Sequence, residues 1–125
     1  MNNLGSTLLV ALGGATGSVL RYAVGLCLPM HAQRSFPWAT LLVNLGGSLL
    51  IGLLLGTLAK HPAPAAYWQP LLVTGFCGGF TTLSAFSNDG FLLLRQQHYT
   101  MFLLYFAATL VLGIMAAALG YHLSK

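Results

Sequence analysis

The sequence predicts an all-α membrane protein of four transmembrane helices, the third broken mid-membrane, working as an antiparallel dual-topology homodimer. Three observations predict the helices and the break. Of 125 residues, 57% are hydrophobic and 5% charged, with a mean hydropathy of +0.80, a composition suited to a chain solvated mainly by lipid. Four apolar runs, 4–28, 38–59, 68–94 and 100–123, each supply the roughly 20 residues that a bilayer core about 30 Å thick requires. Inside the third, the segment GFCGGFTTLSAFS at 75–87 places three glycines and four hydroxyls in a stretch that has to cross the membrane. Non-helical backbone at that depth survives only against protein, a bound ion or a wet cavity. A channel or transporter is therefore the first expectation, with residues 1–125 forming one transmembrane domain.

The first span has no Lys or Arg ahead of it and no clear small-residue cleavage site, so it is expected to stay as a helix and not to be removed as a signal peptide. Gly13 and Gly17, four apart, let another backbone approach closely. Arg21 is the strong charge inside this span, and it has two readings: snorkelling to the interface, or drawing anions into a vestibule. Pro29 and the polar stretch 31–37 end the helix. In the second span Thr40 and Asn44 share a face, with Gly47 and Ser48 one turn on, and Ser48, Gly52 and Gly56 repeat the small-residue spacing. An asparagine in lipid must find partners, either as interhelical glue or as an amide donor to a passing anion.

Lys60, His61, Pro62 and Pro64 mark the second connection. The third span would be about 40 Å long if fully helical, which exceeds the bilayer core. A break at Gly75, Gly78 and Gly79 absorbs the excess better than a tilt does. Asp89, near the end of this span, is expected to reach headgroups or cap local backbone and not to carry protons. Arg95 to His98 forms the third connection. In the last span Tyr105, Thr109 and Gly113 recur at four-residue spacing. With Thr81, Thr82, Ser84 and Ser87 they form a narrow track of neutral donors, which favours an anion that must not bind too tightly. Tyr22, Trp38, Tyr67, Trp68, Tyr99 and Tyr121 sit near span ends, where amphipathic aromatics prefer the interface.

Several functions are excluded by composition. The one acid, Asp89, stands against five Lys/Arg, but a net charge of +4 scattered over loops and chain ends is no nucleic-acid surface. Lys60 and Lys125 fall on one side of the membrane, Arg34 and Arg95 on the other, so the orientation bias is close to nil. A chain that inserts both ways up suggests the antiparallel homodimer, which is like an inverted repeat split into separate chains. Cys27 and Cys77 lack ligand spacing and read as small apolar filler. His31, His61, His98 and His122 lie in loops or at interfaces without the spacing of a helical metal site. There is no Ser/His/Asp set, no carboxylate pair and no phosphate-binding loop, so an enzyme is not expected.

Three blocks, GGATGSVLRY at 13–22, TLLVNLGGS at 40–48 and the segment at 75–87, occur in order, one per span. Together they strongly resemble the CrcB/Fluc fluoride channels. The resemblance implies a passive, fluoride-selective channel of the bacterial inner membrane that relieves cytoplasmic fluoride toxicity, built as a homodimer with two pores. It also implies a structural Na⁺ at the dimer centre, held by the carbonyls of Gly78 and Thr81. Asn44 matches the pore asparagine and Arg21 the vestibule arginine, while Thr40, Ser84, Tyr105 and Thr109 fall where polar-track residues are expected, beside Thr82. The family typically reads Thr-Thr-Phe-Ser-Thr-Phe where this chain has Leu83 and Ala85 and keeps only Phe86. An aryl edge favours an anion through its quadrupole, and an alkyl side chain does not, so reduced conduction is expected. Phe80 reads as packing. A small proton-coupled multidrug exporter is the alternative, but it would want a carboxylate within the first span, and none exists. A structural subunit of a larger complex would leave the polar clusters unexplained.

Overall fold

The computed structural model describes residues 3–28 and 36–125. Pro29, His31 and Arg34, on which the first connection and part of the charge balance rest, lie outside the described residues. The described chain is helical, and four of its stretches are long and apolar enough to cross a membrane. The first is α1 (Asn3–Cys27) and the second α2 (Trp38–Ala59). The third runs over Pro62–Arg95 and is composite. It comprises α3 (Pro62–Trp68), a π-helical segment (Gln69–Cys77), the single turn α4 (Gly78–Phe80) and α5 (Leu83–Arg95). The last is α6 (Tyr99–Ser124). The interfacial aromatics Tyr22, Trp38, Tyr67, Trp68, Tyr99 and Tyr121 are all exposed, as residues facing headgroups should be.

The third span starts six residues before the expected position 68, because Pro62 and Pro64 open a helix and do not merely close a loop. Pro at the first helical positions loses only an N–H that would be unpaired anyway. Pro70 is different. Its missing N–H removes an α-helical bond and its ring crowds the carbonyl four residues back, so the chain widens into the π-helical turns that begin at Gln69.

The packing is organised as two tight pairs: α2 runs along α6, and α1 runs along the π-helical segment and α4. Glycine sets both contacts. A Cβ on Gly13 would strike the Leu71 carbonyl and reach 2.8 Å from the Phe76 nitrogen, and one on Gly17 would strike the Phe76 carbonyl. The same holds from the other side at Gly75 and Gly79, which face Val10 and Gly14. Across the second pair, Gly52 meets the Ala117 carbonyl and Gly120 the Leu49 carbonyl. In lipid, where apolar side chains gain nothing by avoiding solvent, such backbone approach supplies the dispersion that holds helices together. The three glycines expected to break the third span do not break it. Gly75 is π-helical and Gly78 and Gly79 are α-helical, and extended backbone appears instead at Thr81 (ψ 155°) and Thr82 (φ −149°, ψ 121°).

The turn between α5 and α6 closes with the paired helix-ending bonds of a Schellman motif: His98 N–H donates to Leu93 O at 2.8 Å and Gln97 N–H to Leu94 O at 3.0 Å. The motif needs a left-handed residue, and Gln97 supplies it at φ 62°. A side chain there costs about 1 kcal/mol relative to glycine. Gln97→Gly is expected to raise stability by about that amount, read as a higher thermal midpoint in detergent; an unchanged or lower midpoint would show that the Gln97 side chain compensates for its backbone.

Candidate ion pathway

The interruption at Thr81–Thr82 is held by side chains from three directions. From α2, Asn44 bonds the backbone of one residue twice: its Oδ1 accepts the Thr82 N–H at 2.9 Å and its Nδ2 donates to the Thr82 carbonyl at 3.2 Å. From α1, Arg21 Nε donates to the Gly79 carbonyl at 3.2 Å. From the break itself, Thr82 Oγ1 caps α5 by accepting the Ala85 N–H at 3.1 Å, with Ser84 Oγ 3.0 Å away. These groups do the work that water does at an exposed helix end. Arg21 therefore anchors inward to the end of a helix whose dipole favours a cation, and does not extend outward.

Among the described residues, two cavities border the break and a third lies between α5 and α6. The largest, about 460 Å³, is lined by Asn44, Gly78, Thr81, Thr82, Leu83, Phe86 and Thr109 among others. A second, about 320 Å³, holds Arg21, Thr40, Thr82 and Ala85. The third, about 200 Å³, lies among Phe86, Ser87 and Tyr105. Thr82 borders the first two and Phe86 the first and third. Leu83 opens into the largest cavity at 76% exposure. Phe86 packs against Tyr105 with ring centroids 5.2 Å apart, and Phe80 stacks on Phe76 at 5.9 Å, the packing role expected of it.

The expected track of free donors is narrower than the sequence suggests. Thr81 and Thr109 spend their hydroxyl protons on the carbonyls of Cys77 and Tyr105, four residues back, at 2.8 and 2.7 Å. Tyr105 is fully buried, and its hydroxyl donates to Asp89 Oδ2 at 3.3 Å. An amide has two donor protons, so Asn44 keeps one beyond its bond to Thr82. Asp89 neither caps backbone nor reaches out to headgroups, as the sequence had suggested; it faces inward to Tyr105. That pair joins residues 16 apart on different helices, and the one sequence signal for it was the solitary acid. Replacing Asp89 with leucine removes the acceptor of a buried hydroxyl and is expected to cost about 1–3 kcal/mol, whereas Asp89→Asn keeps an acceptor and costs less. Thermal midpoints of the two variants check this, and equal losses would contradict it.

Both cysteines are free, Cys27 exposed and Cys77 buried. Among the described residues no three His, Cys, Asp or Glu side chains gather as a metal site.

Four apolar spans, the third interrupted at Thr81–Thr82, define a small multi-pass membrane protein. The family described as CrcB-like protein, Camphor Resistance (CrcB), matches residues 8–121, and the chain belongs to it. Among similar proteins, one from Flavobacterium psychrophilum is 44% identical over 93% of this chain and 94% of its own length; it is named Fluoride-specific ion channel FluC. Proteins of the same name from Leptospira interrogans and Rhizobium meliloti are each 42% identical, covering 100% and 94% of this chain and 98% and 94% of their own.

Proposed function

We propose that this chain is a passive, fluoride-selective channel of the bacterial plasma membrane, not an enzyme, and that it exports fluoride from the cytoplasm. The observation that carries the reading is the convergence of Arg21 and Asn44 on the interrupted third span, beside two cavities whose linings hold no carboxylate. The full-length similarity to proteins named fluoride-specific channels supports it. A proton-coupled exporter is not favoured, since α1 carries no carboxylate.

Fluoride is small and hard, and stripping its water without replacement costs tens of kcal/mol by Born estimates. Along the proposed path the Arg21 cavity gathers the anion, with Thr40 beside it. The Thr82 and Ser84 hydroxyls follow, then the remaining Asn44 proton and the edge of Phe86 at the break. Tyr105 and Thr109 line the way beyond. Each contact is weak, which suits conduction because a single deep site would trap the ion.

The working unit is an antiparallel homodimer whose third helices are broken within the membrane. The exposure of Leu83 and the open, largely apolar cavity beside it support a second copy covering this face. Na⁺ is the implied cofactor. The Gly78 and Thr81 carbonyls suit it, being neutral oxygen donors beside a break that withdraws the N–H groups a continuous helix would offer them. Bound there, the ion would satisfy carbonyl oxygens from both copies. The reading is tested by expression in bacteria lacking their own fluoride exporter: growth in fluoride should be restored. Continued sensitivity despite confirmed membrane expression would count against it.

A further inference from the structure

In a continuous α-helix the Thr82 N–H would close on the Gly78 carbonyl and the Ala85 N–H on the Thr81 carbonyl. Both donors are bonded elsewhere. The first goes to Asn44 Oδ1 at 2.9 Å and the second to Thr82 Oγ1 at 3.1 Å. The neighbouring carbonyls of Gly79 and Thr82 are taken by Arg21 and Asn44. The side chains around the break thus sort its carbonyls into two kinds: those given a protein donor, and those whose helical donor has been drawn away. Gly78 and Thr81 are of the second kind, both border the cavity of about 460 Å³, and a Cβ on Gly78 would meet nothing within 4 Å.

We infer that Asn44 is a positioning residue for a cation site: by capturing the Thr82 N–H it keeps the Gly78 carbonyl from closing into the helix and leaves it as a cation ligand. The inference rests on the sodium reading above and deepens it. Asn44 and Gly78 compete for one proton, so removing the amide lets the Thr82 N–H fall back onto Gly78 and closes the site. Neutral carbonyl oxygens without a carboxylate suit a hard monovalent cation, since a divalent ion wants anionic ligands. Two such carbonyls per copy are too few for a full shell, so a second copy supplies the others. Asn44 therefore couples the two ions: the amide with a proton left for the anion also sets the cation site.

The test is a sodium titration of the purified full-length protein in detergent, with N-methyl-D-glucamine chloride holding ionic strength constant and thermal stability as the readout. The native protein should gain stability saturably with Na⁺. Asn44→Leu, similar in volume but without donor or acceptor, should raise the half-saturating Na⁺ concentration about tenfold or more, the scale of lost outer-shell support at metal sites. Asn44→Asp keeps an oxygen for the Thr82 N–H and should bind Na⁺ as tightly as the native protein or more tightly. Half-saturation of Asn44→Leu at the native concentration would overturn the inference while leaving the sodium reading intact. So would a weakened Asn44→Asp, which decides the matter alone if the leucine variant fails to fold. A native protein indifferent to Na⁺ would overturn both.

Discussion

Gly17→Leu yields no stable folded protein, whereas Gly46→Ala yields normal amounts. At Gly17 any Cβ meets backbone: it strikes the Phe76 carbonyl and comes within 2.9 Å of the Phe80 nitrogen. Backbone cannot rotate aside as a long side chain can, so α1 must separate from the π-helical segment and α4. That separation also opens the close approaches at Gly13, Gly75 and Gly79 and pulls Arg21 from the Gly79 carbonyl. The combined loss is expected to exceed about 3 kcal/mol, at the severe end for a single substitution. At Gly46 an added Cβ meets nothing within 4 Å of this chain. Size-exclusion profiles and thermal midpoints of the two variants read the contrast. A monodisperse Gly17→Leu with native stability would mean that the first span does not pack as described.

Leu83→Phe conducts fluoride about tenfold faster than the native chain. Leu83 is the first residue of α5 and projects into a cavity of about 460 Å³ that also holds Asn44 and Phe86, so within one copy a phenyl ring enters without displacing its neighbours. A leucine offers an anion only weakly polarised C–H groups, whereas a ring presents the positive edge of its quadrupole. A tenfold rate change corresponds to about 1.4 kcal/mol off the barrier, within the scale of aromatic edge interactions. Initial rates of fluoride efflux from liposomes at matched protein content measure it. Equal or slower efflux would place position 83 off the path.

The spans were legible because a bilayer imposes length and composition on them. The expected 38–59 coincides with α2, and 4–28 and 100–123 differ from α1 and α6 by one residue at each end. The third span was read less well. Its π-helical segment follows from how neighbouring turns accommodate Pro70, which no apolar periodicity reports. The sequence points to its glycines as the break, yet Gly75 and Gly79 are committed to contact with α1, Gly78 is helical, and the interruption falls where Asn44, 38 residues away in sequence, takes the Thr82 N–H. Residue types were enough to nominate Arg21, Asn44 and the hydroxyls, because polar groups are costly in lipid. They did not say which protons were already spent. Thr81, Thr109 and Tyr105 look alike as donors on a helical wheel, and only the folded chain shows each one bonded within the protein.

The central claim is that neutral donors around an interrupted helix pass fluoride and refuse chloride. Purified protein in liposomes loaded with both anions, followed by fluoride- and chloride-selective electrodes after the membrane potential is released, tests it most directly. Fluoride loss well above protein-free liposomes, with chloride retained, is the expected result. Comparable loss of both anions, or retention of both by verified folded protein with the Leu83→Phe variant equally silent, would contradict it.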